Sequence, residues 1–154
     1  MNEPEVDELD RQILQHLQVD ARNLTSGQIA DKTDAADSTV RKRIQKLEEQ
    51  SIIKGYTAEV DYERSGYPLR MILFCTAPIP KRGSLVDEIL ELEGVITVQE
   101  LVTGEENLLV TVVGKRDSDI TNVAETLLDK DLKITDEVLV RRHQSSPFER
   151  FSSD

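Results

Sequence analysis

At 154 residues, with 38% apolar and only 4% aromatic side chains, the chain has the composition of one compact domain or two small ones with aliphatic cores, not of a disordered polymer. No stretch approaches the ~20 apolar residues that a bilayer span needs, and the acidic start Met1-Asn2-Glu3-Pro4-Glu5 has neither the basic nor the apolar part of a secretory leader, so a soluble, cytoplasmic protein without membrane partners is expected. The formal net charge of -11 runs against a simple electrostatic attraction to nucleic acid, and one cysteine, Cys75, excludes an internal disulfide and a thiolate metal cluster.

Leu9, Ile13, Leu14 and Leu17 recur at helical spacing over Asp7 to Val19, with Asp7 placed to cap the first amides. A connection through Ala21-Arg22-Asn23-Leu24 leads to Thr25 and Gln28, the two ends of a capping box that predicts a short helix over Ser26–Thr33 with Ile29 and Ala30 inward. Thr33-Asp34-Ala35-Ala36 reads as a tight turn. A third helix is predicted from Asp37 to Gln50; Val40, Ile44 and Leu47 share one face, and Ser38, Arg41, Lys42 and Gln45 point the opposite way. Ile52–Val60 resembles a strand leading out of this three-helix unit.

The polar stretch Asp61–Pro68 carries Gly66 and Pro68 and separates two differently patterned regions, which predicts a helix-turn-helix domain over 1–60, a linker over 61–68 and a second domain over 69–154. In the second region the pattern reads strand Leu69–Ala77, helix Gly83–Leu92, strand Val95–Val102, a hairpin turn Thr103–Asn107, strand Leu108–Val113, helix Asp117–Asp129 and strand Ile134–Val140. That order is the split βαβ, or ferredoxin-like, arrangement: an antiparallel sheet with two helices on one face. Met71, Ile72, Leu73 and Phe74 are apolar at both parities, so the other face is expected to be covered by another subunit. Arg141 onward reads as a polar surface segment, and Cys75, inside the apolar run Met71–Ala77, as an inert buried thiol.

Charge is unevenly placed. Both halves are acidic, with 8 basic against 12 acidic side chains before Asp61 and 11 against 18 from there on, yet Ser38–Gly55 holds Arg41, Lys42, Arg43, Lys46 and Lys54 against only Glu48 and Glu49. Positive charge is therefore confined to the third helix and its end. The carboxylate surplus and the 8 lysines also look like proteins of organisms with molar intracellular salt, a halophilic archaeon being the expected source. Under such salt, counterion release contributes little to DNA affinity, and an acidic body costs a DNA binder correspondingly little.

Several linked segments, in order and in spacing, resemble the Lrp/AsnC (leucine-responsive, or feast/famine) transcription regulators: Leu9-Asp10-Arg11-Gln12-Ile13-Leu14, Asp20-Ala21-Arg22, Ile29-Ala30, Ser38 through Glu48, and Ile52-Ile53-Lys54-Gly55-Tyr56. The resemblance covers nearly the whole chain. It implies an α+β protein with an N-terminal winged helix-turn-helix and a C-terminal ferredoxin-like βαββαβ domain that assembles subunits and responds to a metabolite. Its partners would be double-stranded DNA and copies of itself, as a dimer and then a tetramer or octamer. Asp34, Ala36 and Ser51 stand where the family usually has Gly, Ser and Gly; Asp34 or Asp37 is then the expected substitute for the missing cap of the third helix.

In the major groove an Arg or Lys donates to guanine edges and a Gln pairs with adenine. Ser38, Thr39, Arg41, Lys42, Gln45 and Lys46 are the candidate DNA contacts, the first two on phosphates, with Arg22 and Lys54 within reach of the backbone; the alternative is a merely solvated polar face. Arg43 sits near the packed side and is expected to pair with a carboxylate. For Gly104, Glu105, Glu106 and Asn107 an effector site formed with another subunit stands beside an ordinary hairpin turn, and the two glutamates favour a cationic ligand or a metal. No cofactor and no resident metal is expected. His16 and His143 belong to no activated arrangement, so an enzyme is not expected. A protein-interaction or effector-binding module that does not bind DNA is the second reading, with the acidic charge as its support.

Overall fold

The computed structural model describes residues 6–102 and 104–147. The chain separates into two compact units, one running to Ala58 and taking in residues 144–147, the other spanning Glu59–His143.

The first unit contains three helices, α1 (Glu8–Asp20), α2 (Ser26–Asp31) and α3 (Asp37–Glu49). Asp7 and Asp10 form a reciprocal capping box at the start of α1, and Thr25 and Gln28 form the one foreseen at α2. Ile13, Ile29, Ala30, Val40 and Leu47 make the core, with Leu9, Leu14, Leu17 and Ile44 packed around it. The apolar stripes read from the sequence are thus the buried ones. α2 is two residues shorter than the pattern suggested, because the amides of Lys32 and Thr33 close onto Ile29 and Ala30 in a tightening last turn.

Two local expectations fail. Neither Asp34 nor Asp37 caps α3: its N-cap is Ala36, with no side-chain bond, and the Asp37 carboxylate turns aside to accept from the Ser26 hydroxyl and from Arg41. Nor does Ile52–Val60 form a strand. A strand needs a neighbour for its amides and carbonyls, and the described part of this unit contains none, so 54–60 is an exposed, irregular segment. Tyr56 fastens it to α3 by donating to the Glu48 carboxylate at 2.9 Å.

The second unit has β1 (Leu69–Thr76), a 3-10 turn at Ile79–Lys81 running into α4 (Arg82–Leu90), β2 (Val95–Glu100), β3 (Leu108–Gly114), α5 (Asp117–Asp129) and β4 (Lys133–Leu139). The strands pair antiparallel in the order β2-β3-β1-β4, the ferredoxin-like arrangement expected. Leu73, Cys75, Val110 and Val112 lie under Leu85, Ile89, Ile120, Val123 and Leu127 of the two helices. Ile72 and Phe74, of the other parity, are only half-buried on the opposite face beside Leu109 and Val138. Residues 61–67 close a hydrogen-bonded turn, with Tyr67 donating its amide to Tyr62 at 2.8 Å, and the Lys115 ammonium lies 5.0 Å from the Tyr67 ring centre. Gly94 is required where it stands: its φ is +89°, and a Cβ there would meet the Val113 carbonyl at 2.7 Å.

Candidate nucleic-acid interface and effector loop

Two features aim α3. Along its inner side Val40 and Leu47 are fully buried, which fixes its rotation about its own axis. At its middle, Arg43 reaches α1, where one guanidinium nitrogen donates to Asp7 at 2.6 Å and to Asp10 at 3.2 Å. Asp10 is 2% exposed, whereas Arg43 is about a third and Asp7 nearly half exposed, so one buried carboxylate is served by an arginine that keeps contact with water; the pairing with a carboxylate is the one its position near the packed side suggested. The Asp7 carboxyl is held below its ordinary pKa, first by the Asp10 amide it accepts from and then, against its partial burial, by Arg43.

The outer side of α3 brings all six candidate DNA contacts together: Ser38, Thr39, Arg41, Lys42, Gln45 and Lys46 are every one exposed. Their hydrogen-bonding states differ. Arg41 donates to Asp37 at 3.1 Å and Gln45 to Glu49 at 2.9 Å, each one helical turn away. Lys42 and Lys46 are exposed, and their ammonium groups make no hydrogen bond or ion pair among the described residues. Arg22 and Lys54 are also exposed. The surface therefore offers two uncommitted ammonium groups flanked by two planar donors that are lightly held by neighbouring carboxylates. The chemistry suits a surface of phosphates and base edges.

Sequence reasoning missed two anchors of this surface. Ser51, where the resembling family has Gly, takes a left-handed φ of +56°, and its amide donates to Glu48 while that of Ile52 donates to Leu47, both at 2.9 Å. These bonds close a Schellman motif that stops α3. Tyr56, about half exposed but pinned to Glu48, has its phenol pKa pushed up to about 12 by the partial desolvation of its hydroxyl and by that carboxylate. The departure at Ser51 was visible in sequence, but its left-handed backbone was not.

In the second unit the loop between β2 and β3 is occupied with its own structure. Asn107 is buried, and its carboxamide accepts from the Ala77 amide at 2.7 Å and donates to the Ala77 carbonyl at 2.8 Å, imitating a strand pairing. The Glu105 carbonyl accepts from Thr76, and the Glu106 carboxylate from Thr135, the extra residue of a bulge in β4. Gly104, with φ +108°, and Glu105 are exposed, and Thr103 lies outside the described residues. No group of three or more His, Cys, Asp or Glu among the described residues is placed to hold a metal. Cys75 is fully buried, and burial followed by the nearby Glu137 charge pushes its thiol up to about 11, which makes it a poor nucleophile.

Residues 6–54 match a family model described as a winged helix-turn-helix DNA-binding domain. The chain is 33% identical over 127 residues to an uncharacterized HTH-type transcriptional regulator of Pyrococcus furiosus, covering 82% of this chain and 84% of that one. It is 32% identical over 130 residues to the HTH-type transcriptional regulator LrpA of Pyrococcus horikoshii, covering 84% and 88%. Among solved structures it is similar to a feast or famine regulatory protein from M. tuberculosis complexed with L-methionine, with a TM-score of 0.80 at 20% identity, covering 96% of this chain and all of that one. A transcriptional regulator from Neisseria meningitidis, also in an L-Met complex, superposes with a TM-score of 0.76 at 22% identity over 95% and 96%. These two share its fold. The curated relatives carry the identification further, since a third of the residues are kept over more than four-fifths of the sequence: the chain belongs to the Lrp/AsnC family of DNA-binding, helix-turn-helix transcription regulators.

Proposed function

We propose that this regulator binds a pseudo-palindromic duplex as a homo-oligomer, with the outer face of α3 from two subunits entering successive major grooves about 34 to 36 Å apart. The observation that carries this reading is the arrangement of α3. One side is packed, with Val40 and Leu47 fully buried and Ile44 partly so, whereas Ser38, Thr39, Arg41, Lys42, Gln45 and Lys46 are all exposed on the other. Arg41, Lys42 and Gln45 are the base readers in this scheme, Ser38 and Thr39 meet phosphates near the helix start, and Lys46 follows the backbone. The half-buried apolar groups Ile72, Phe74 and Leu109 on the helix-free sheet face support a subunit contact in the second unit, a dimer from which tetramers or octamers assemble.

The same reading makes the chain a cytoplasmic, non-enzymatic regulator. The relatives named above are transcription regulators, and no helix among the described residues is long and apolar enough to cross a membrane. A net charge of -11 supports a working medium of high salt, as in a halophilic archaeon, where phosphate attraction is weak and contacts to base edges and groove shape carry the affinity.

A small-molecule effector is part of the proposal. Two structural neighbours are complexes with L-methionine. In this chain Glu105 and Glu106 on the β2–β3 loop favour a ligand with a cationic group, and Asn107 contributes by fixing the loop to Ala77. Such an effector acts only through a difference in its affinity for two assemblies or two helix spacings. Footprinting in molar potassium chloride, with calorimetric titration of lysine and arginine, tests both parts. A discrete protected pseudo-palindrome is expected, together with heat on titration. Absence of protection on any genomic fragment would favour an interaction module, and absence of heat would remove the cationic effector.

A further inference from the structure

Asp37 is the first residue of the recognition helix, and nothing in DNA binding calls for a carboxylate there. The α3 N-terminus has no side-chain cap. The Asp37 carboxylate does not supply the missing cap and turns to two side chains. One of its oxygens is fixed by the Ser26 hydroxyl at the start of α2, and the other accepts from the Arg41 guanidinium at 3.1 Å. Asp37 therefore engages a base-reading candidate through a carboxylate that the Ser26 hydroxyl holds in place.

We propose that Asp37 is a selectivity-determining residue of the interface, a latch that holds Arg41 until a duplex presents an acceptor able to replace it. The proposal rests on the DNA-binding reading of α3. A phosphate alone is a poor replacement, because a backbone oxygen near Arg41 also approaches the Asp37 charge. A guanine edge is a good one: its two acceptors match two guanidinium N–H groups, and it brings no formal charge of its own. The latch consequently weakens binding to arbitrary duplexes more than binding to a site with guanine beneath Arg41. Lys46, exposed and assigned to the backbone, supplies the indifferent attraction in both cases.

The experiment uses the full chain, a duplex selected by the wild-type protein from a random pool, and a scrambled duplex of equal length. Asp37→Asn keeps an oxygen for Ser26 and removes the charge. It is expected to bind the scrambled duplex about three- to fivefold more tightly, the scale of an exposed ion pair. Its log–log salt slope should steepen by about 0.9, one additional phosphate contact, and the selected-to-scrambled ratio should fall. In an Arg41→Ala background the same change should do no more than Glu125→Gln, which alters net charge equally at an exposed position of α5. Asp37→Ser carries the same expectation should the Asn variant melt early. An unchanged slope and ratio, or an equal gain in the Arg41→Ala background, overturns the latch while leaving DNA recognition standing. If the wild type retards no duplex at all, the DNA reading fails first and the latch with it.

Discussion

Arg43 stands at the junction between folding and the proposed recognition face, because Lys42 beside it is exposed on the outer side of α3 while its own guanidinium turns to the carboxylates of α1. Its guanidinium neutralises Asp10, a carboxylate at 2% exposure that cannot be left alone in the core of the first unit. Arg43→Ala strands that charge. Allowing for the remaining exposure of the arginine, the first unit should lose about 2–3 kcal/mol in urea unfolding; a loss below a few tenths would show that Asp10 finds water without its partner. Asp7 gives the same cluster a pH signature. Its folded pKa lies below the ordinary 3.8, so its contribution is complete above that value and disappears as pH falls through the folded pKa. Far-UV circular dichroism followed downward from about pH 5 should show the first unit weakening only below about pH 4, and Asp7→Asn should flatten that acid limb. The pairing of Arg43 with a carboxylate was legible in sequence from its angular distance to Val40. The identity of its partners was not, since Asp7 and Asp10 approach it only once α1 and α3 have packed.

Elements were legible wherever a period of 3.6 or 2 ran long enough to compete with local chance. α5 was foreseen over its observed span, and α1, α3, α4 and all four strands to within two residues at either end, because each carries a continuous stripe such as Ile120, Val123 and Leu127. Ile52–Val60 misled for the opposite reason: its residues suit a strand, but pairing is a property of two segments and the described part of the first unit offers no second one. Helix ends were the other gap. α3 begins on Ala36 without a side-chain cap and stops on Ser51 in a left-handed conformation, two positions where the family usually places Ser and Gly. The stop is the more costly, since a non-glycine residue in that region carries roughly 1 kcal/mol of strain. Ser51→Gly should therefore raise the stability of the first unit by about 0.5–1 kcal/mol, read as a higher urea midpoint at unchanged slope. A lower midpoint would mean that the serine side chain makes a compensating contact. In the β2–β3 loop, the sequence marked Gly104 to Asn107 as special without showing why. The structure supplies part of the reason: Asn107 serves Ala77, Glu106 accepts from Thr135, and Glu105 is the loop glutamate whose exposed carboxylate faces solvent.

For the molecule as a whole, an acidic protein that binds an acidic polymer is reconciled by where its few cations sit. Ser38–Gly55 holds five of the 19 Lys and Arg residues, and four of the five stand exposed. Affinity from so small a cationic surface depends weakly on salt and strongly on the particular contacts of α3. Lys42 and Gln45 therefore carry the account's central claim, that the outer face of α3 reads DNA. Retardation of a selected duplex by Lys42→Ala and Gln45→Ala, with light scattering on the same samples, tests it most directly. Each variant should lose about 1–3 kcal/mol of site-specific binding while keeping the wild-type assembly size. Wild-type affinity in both variants, at unchanged assembly, would contradict it.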